Sequence, residues 1–195
     1  MNDVFSLCVY CGSRPGALPV YEEAAREVGT EIGRRGWRLV YGGGRAGLMG
    51  VVADAVLAAG GTAVGVIPQA LLDRELGHRG LTELHIVQTM HQRKQMMAER
   101  ADAFVALAGG IGTFEELFEV WTWRQLGYHD KPVGLLNTEG YYDPLLAFLD
   151  RTVEQGFVPP AQHELLQVEG QAVPLLDRLV QLAQRATAPD DYARI

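Results

Sequence analysis

Short apolar runs rich in β-branched residues alternate along this chain with longer segments of helical periodicity, and no other feature restricts the fold as much. Strands are read near residues 5–10, 37–41, 62–67, 83–88, 102–107 and 132–136, with helices near 20–35, 47–59, 90–100, 113–126 and 141–155. A last strand near 165–168 and a helix near 171–185 complete the series. Strands separated by helices pair in parallel, because each crossover carries the chain back over one face of the sheet. At 195 residues with 48% apolar side chains, the chain suits one domain with a substantial core.

The pattern predicts a single α/β domain over residues 1–185, a Rossmann-like doubly wound parallel sheet, with a flexible tail at 186–195. A formal net charge of −7 disfavours nucleic acid and anionic membranes as partners, since both attract basic surfaces. No apolar run approaches the ~18 residues of a membrane span. The start Met-Asn-Asp-Val lacks the basic region of a secretory leader, so a cytoplasmic location is expected. Cys8 and Cys11 have C-x-x-C spacing but sit on or beside the first strand, where residues three apart face opposite sides. They read as buried thiols, not as a redox or metal pair.

In doubly wound sheets, ligands bind at the carboxyl ends of the strands. Three strand ends open here into glycine-bearing loops, each followed by a helix: Cys11-Gly-Ser-Arg-Pro-Gly16, Tyr41-Gly-Gly-Gly-Arg-Ala-Gly-Leu-Met-Gly50 and Ala108-Gly-Gly-Ile-Gly-Thr-Phe-Glu-Glu116. Glycine lets the backbone approach a ligand closely, and the free N–H groups of a helix start bind anions. One such loop turns a chain; three on one sheet edge point to a phosphate-bearing ligand. Gly-Lys-Ser/Thr is absent, which disfavours nucleoside triphosphate hydrolysis.

The third loop permits two readings of Glu116. Thr113 and Glu116 have the T-x-x-E spacing of a capping box, which stabilises a helix start without further function. A carboxylate beside a bound phosphate, by contrast, suffers repulsion that chemistry would justify. A second cluster, Met90-His-Gln-Arg-Lys-Gln-Met-Met97, carries one of only two lysines in the chain. Arg93 and Lys94 diverge by about 100° on a helix, so one reaches a ligand while the other is solvated.

These motifs resemble those of the Lonely Guy family, the cytokinin-activating phosphoribohydrolases once described as lysine decarboxylases. The family hallmark PGGxGTxxE is present as Ala108-Gly-Gly-Ile-Gly-Thr-Phe-Glu-Glu116, with alanine in place of the family proline. It is preceded by Met90-His-Gln-Arg-Lys94 and followed by Glu119-Val-Trp-Thr-Trp123 and His129-Asp-Lys-Pro-Val-Gly-Leu-Leu-Asn137. The resemblance extends from Cys11-Gly-Ser13 to about Tyr142. It implies hydrolysis of an N6-substituted adenosine 5′-monophosphate to free base and ribose 5-phosphate; no cofactor and no metal are expected.

By motif position, Arg93 and Glu116 match the family's catalytic pair. Gly109, Gly110, Ile111, Gly112 and Thr113 match its phosphate loop, with Glu115 beside it. Glu75, Lys94 and Thr122 fall at positions that touch substrate. Ser13, Gly43 and Gly44 join the candidates from the first two loops. The resemblance also implies a homodimer with active sites near the subunit boundary. The helix bearing Leu117, Phe118, Val120, Trp121, Trp123 and Leu126 is apolar around much of its circumference, which suits a dimer or a core equally.

Breaking an N-glycosidic bond builds positive charge on the ribose, which a carboxylate stabilises or relieves by activating water. Glu116 is the candidate for that part. Arg93 suits orientation and charge stabilisation, because a guanidinium is a poor proton source. The group that protonates the leaving base is left open.

Two other readings compete. A pyridoxal phosphate decarboxylase would use Lys131 as its Schiff-base lysine, but Lys131 precedes Pro132 at a strand entry, on the edge opposite the glycine loops. A non-catalytic nucleotide or cofactor carrier would use the same loops, and only the Arg93 and Glu116 pair separates it from an enzyme. His78, His85, His91, His129 and His163 are scattered without metal-ligand spacing.

Overall fold

The computed structural model describes residues 4–74, 77–187 and 190–192. The described residues form seven strands: β1 (Ser6–Tyr10), β2 (Arg38–Tyr41), β3 (Thr62–Pro68), β4 (Glu83–Val87), β5 (Ala103–Ala106), β6 (Val133–Leu136) and β7 (Leu166–Glu169). They form one sheet in the order β4-β3-β2-β1-β5-β6-β7, and every pairing is parallel. The long helices are α1 (Pro19–Arg34), α2 (Gly47–Ala58), α4 (Met90–Glu99), α5 (Ile111–Gln125), α6 (Asp143–Glu154) and α8 (Ala172–Ala183). The predicted α/β sheet is therefore present, with each long element close to its expected position. Two four-residue helices, α3 (Gln69–Leu72) and α7 (Pro160–His163), and a 3-10 turn at Thr138–Gly140 complete the described elements. They are too short to show a helical period.

Strand alternation divides the core into two layers. Leu7 and Val9 pack with Val28 and Ile32 of α1, Val52 and Val56 of α2, and Leu175 and Leu179 of α8. Cys8 and Tyr10 face the other way, toward Met97 of α4, Leu117 and Val120 of α5, and Leu149 of α6. The two cysteines lie in different layers as free buried thiols, and burial pushes both well above the ordinary thiol range. A thiol so shifted is inert. The apolar circumference of α5 is largely consumed inside the chain, since Leu117, Val120, Trp121 and Trp123 are all buried. Trp121 Nε1 also donates to the Gln162 carbonyl at 3.0 Å. Leu126, at the end of the helix, stays exposed.

Where it is described, the C-terminal segment makes contacts with the rest of the domain. Thr187 N–H donates to Asp130 at 2.7 Å, Asp190 pairs with Lys131 at 2.6 Å, and Asp191 N–H donates to the Tyr128 carbonyl at 2.9 Å. Tyr192 is buried edge-on against Trp123 and beneath the Lys131 ammonium. One aromatic side chain with a matching slot supplies the docking that composition did not reveal.

Candidate active site

The sheet changes direction between β1 and β5, where the chain has wound outward on one side and then on the other. Such a switch point leaves a crevice between the loops that follow the two strands. Gly12 donates from its N–H to the Ala108 carbonyl at 3.0 Å and accepts from Leu48 N–H at 3.0 Å, so one residue ties all three glycine loops together. Gly47, at φ 58°, completes the junction: a Cβ there would lie 2.4 Å from the Arg14 nitrogen. The crevice opens into a cavity of about 890 Å³, large enough for a nucleotide.

At one end of this cavity α5 begins. Its N-cap is Gly110, and no side chain caps it. Among the described residues the N–H groups of Gly110, Ile111, Gly112 and Thr113 have no acceptor within the protein. That array lies at the positive end of a 15-residue helix, where free N–H groups and the helix dipole together favour an anion. The helix starts two residues earlier than the sequence pattern suggested, and this overturns the capping-box reading. Thr113 is the third helical residue and Glu116 lies in the second turn, too far along to reach the N-cap backbone. The true capping box is at α4, where the Thr89 hydroxyl accepts from Gln92 N–H at 3.1 Å and the Gln92 side chain accepts from Thr89 N–H at 3.3 Å.

Released from capping, Glu116 faces Arg93, with Oε1 3.4 Å from Nη1. Both side chains are about nine-tenths buried and both line the cavity. Two backbone carbonyls hold the guanidinium: Nε donates to Val66 at 3.2 Å and Nη2 to Gly42 at 3.3 Å. Gly42 leaves the room the guanidinium occupies: a Cβ there would lie 1.7 Å from Nη2 and displace it. Burial pushes the Glu116 carboxyl up to about 7, against the opposing pull of Arg93; Glu115 and Glu119 push further in the same direction and Lys94 opposes them. A carboxyl in that range exchanges protons at neutral pH, as acid–base catalysis requires.

The sequence candidates are divided by the fold. Ser13, Gly44, Arg93, Gly109, Gly110, Ile111, Gly112, Thr113 and Glu116 line the cavity. Gly43 lies behind it, at φ 71°, with its carbonyl accepting from His78 N–H. Lys94 is not solvated as expected of the partner of Arg93. Its ammonium joins Glu115 at 2.5 Å and Glu119 at 2.8 Å on the outer side of α5. Thr122 is exposed about three turns beyond the helix start, away from the cavity of its own chain. Glu75 lies outside the described residues. Gly12, Arg14, Gly42, Tyr21 and Tyr141 also line the cavity and were not among the candidates. A Gly-Gly-Gly run at 42–44 was a visible signal, but only packing distinguishes Gly42 from its neighbours.

Lys131 is remote from this cavity, as its place before β6 implied. It is buried at the opposite strand edge, donating to the Ala98 carbonyl at 2.9 Å and paired with Asp190. His129 beside it donates from Nε2 to the Val120 carbonyl, while Nδ1 accepts from Lys131 N–H. Burial lowers this imidazole to about 4, so it is neutral at physiological pH.

Residues 49–179 match the family model described as "possible lysine decarboxylase". The chain is 50% identical over 173 residues to the cytokinin riboside 5′-monophosphate phosphoribohydrolase LOG1 of Arabidopsis thaliana, covering 89% of this chain and 81% of the relative. It is 52% identical over 173 residues to the probable phosphoribohydrolase LOGL5 of Oryza sativa subsp. japonica, covering 89% and 70%. Among solved structures, the molybdenum cofactor carrier protein of Chlamydomonas reinhardtii superposes with a TM-score of 0.70 at 22% identity, covering 93% of this chain and 99% of that one. That likeness reports the fold alone. Identity near one half across most of both chains, together with the family model over residues 49–179, places this chain in the Lonely Guy family of cytokinin riboside 5′-monophosphate phosphoribohydrolases.

Proposed function

We propose that this protein hydrolyses the N-glycosidic bond of N6-substituted adenosine 5′-monophosphates, releasing the free base and ribose 5-phosphate. The observation that carries the proposal is the buried Arg93–Glu116 pair facing the same cavity as the open N–H groups of α5. The phosphate binds at Gly110–Thr113, which sets the ribose beside Glu116. Leu48, Met49, Ile67 and Leu71 line the apolar part of the cavity and receive the base with its substituent. As the glycosidic bond lengthens, charge develops on the ribose; the Glu116 carboxylate accepts a proton from water as that water adds to the anomeric carbon. Arg93, held rigidly by two carbonyls, orients the carboxylate and opposes negative charge on the departing base. A carrier has no use for a carboxyl held near neutrality beside bound phosphate.

The test is base release, followed by chromatography, from isopentenyladenosine monophosphate, AMP and the matching nucleosides, with Glu116→Gln as control. Release from a monophosphate that disappears in the variant supports the reading. Nucleotide binding without release from any substrate moves the assignment to a carrier. We further propose a homodimer, supported by the family resemblance and by exposed Ile86, Met90 and Leu126. Free nucleotides, not nucleic acid or membranes, are the proposed partners, in keeping with the charge of −7. We also propose a cytoplasmic setting; among the described residues no helix is long and apolar enough to cross a membrane.

A further inference from the structure

The turn after β6 presents two consecutive tyrosines to the loop after β5, and they do different work. Tyr142 is buried and donates its hydroxyl to the Leu107 carbonyl at 2.7 Å, which fastens the end of the strand. Tyr141 is half exposed, lines the cavity and donates to the Gly109 carbonyl at 2.5 Å. Hydrogen bonds close the turn: Asn137 accepts from Tyr142 N–H at 2.7 Å and donates to Asp143 at 2.7 Å, while Glu139 stands at φ 51°. The Tyr141 ring meets Tyr21 edge-on at 5.5 Å between centroids. Tyr21 in turn packs beneath Gly16, where a Cβ would lie 2.7 Å from its ring. Tyr141 thus links the third glycine loop to the first.

A planar peptide fixes the direction of its N–H once its carbonyl is fixed. Holding the Gly109 carbonyl therefore aims the Gly110 N–H, the first of the four unpaired donors of α5. Gly109 is closely packed where it stands, since a Cβ there would lie 2.1 Å from the Thr113 hydroxyl and 2.9 Å from the Gly12 nitrogen. We propose that Tyr141 is a positioning residue for the substrate phosphate: its hydroxyl locks the Gly109–Gly110 peptide, and its ring, braced on Tyr21, walls the cavity beside it. This rests on the phosphoribohydrolase reading, because it assumes that the α5 start holds the 5′-phosphate.

Tyr141→Phe tests the assignment, since it removes the hydroxyl and keeps the ring. The expected result is a rise of about tenfold in KM for the nucleoside monophosphate and the same rise in Ki for ribose 5-phosphate, with kcat within about twofold and Ki for free adenine unchanged. Tyr142→Phe, which loosens the same loop from its buried side, lowers the melting temperature without changing the ratio of the two Ki values. Unchanged KM and Ki in Tyr141→Phe, a fall in kcat alone, or equal weakening of ribose 5-phosphate and adenine each overturns the proposal. Wild-type protein that binds ribose 5-phosphate but releases no base refutes the hydrolase reading while the binding arm still tests Tyr141. Wild-type protein that binds neither refutes both.

Discussion

Replacing Glu116 by glutamine makes a protein that is more stable and less active, and the size of the first effect follows from the site. In the unfolded chain the carboxyl ionises near 4.5; in the folded protein burial holds its proton until about 7. Between those values the unfolded state releases the proton and the folded state retains it, so stability falls as pH rises from 4.5 toward 7 and stays lower above that range. At about 1.4 kcal/mol per pH unit the full penalty is about 3 kcal/mol. Glutamine has nearly the same shape and does not ionise. Glu116→Gln is therefore more stable than wild type by about 1 kcal/mol at pH 5, growing to about 3 kcal/mol at pH 8, with a melting temperature about 6–12 °C higher at the upper end. Urea denaturation followed by Trp37, Trp121 and Trp123 fluorescence at pH 5, 6, 7 and 8 reads the difference directly. Turnover falls by two orders of magnitude or more over the same range. A variant destabilised by the same amount at every pH refutes the reasoning, since that is the signature of lost capping or packing.

Three further outcomes follow from the same geometry. Gly42→Ala drives a methyl group into the Arg93 guanidinium, so kcat falls at least about 100-fold while circular dichroism reports an intact fold. Lys94→Met removes a cation that holds the Glu116 proton affinity down, so the rising limb of kcat/KM against pH moves from about 7 to higher pH; an unmoved limb refutes an electrostatic link between Lys94 and the site. His129 has a folded value lowered to about 4 from 6.5, so its contribution, up to about 3 kcal/mol, is present above 6.5 and lost as pH falls toward 4. His129→Gln flattens that acid limb in denaturation experiments without altering turnover at pH 7, because the ring lies at the opposite strand edge.

The order and kind of the long elements were legible before any coordinates, because hydrophobic periodicity is a local property that the tertiary structure obeys: β1 alternates Leu7 and Val9 against Cys8 and Tyr10, and the two sets enter different layers. Three glycine loops at successive strand ends marked the ligand edge for the same reason, since a parallel sheet places all such ends together. Which residues act was a different matter. T-x-x-E at Thr113 and T-x-x-Q at Thr89 both carry capping-box spacing, and only the backbone shows that the box closes at Thr89. Arg93 and Lys94 are adjacent cations on one helix. The rotation of α4 against β3 sends Arg93 into the cavity and Lys94 to Glu115 and Glu119. Gly42 and Tyr141 gain their parts from neighbours 51 and 32 residues away, the carbonyl-bound Arg93 guanidinium and the Gly109 carbonyl. The sequence by itself determined the sheet and the edge on which the three glycine loops gather, because those depend on local pattern and chain direction. The tertiary structure alone decided which cation meets Glu116 and how far burial raises its carboxyl, because both depend on contacts among segments far apart in the chain.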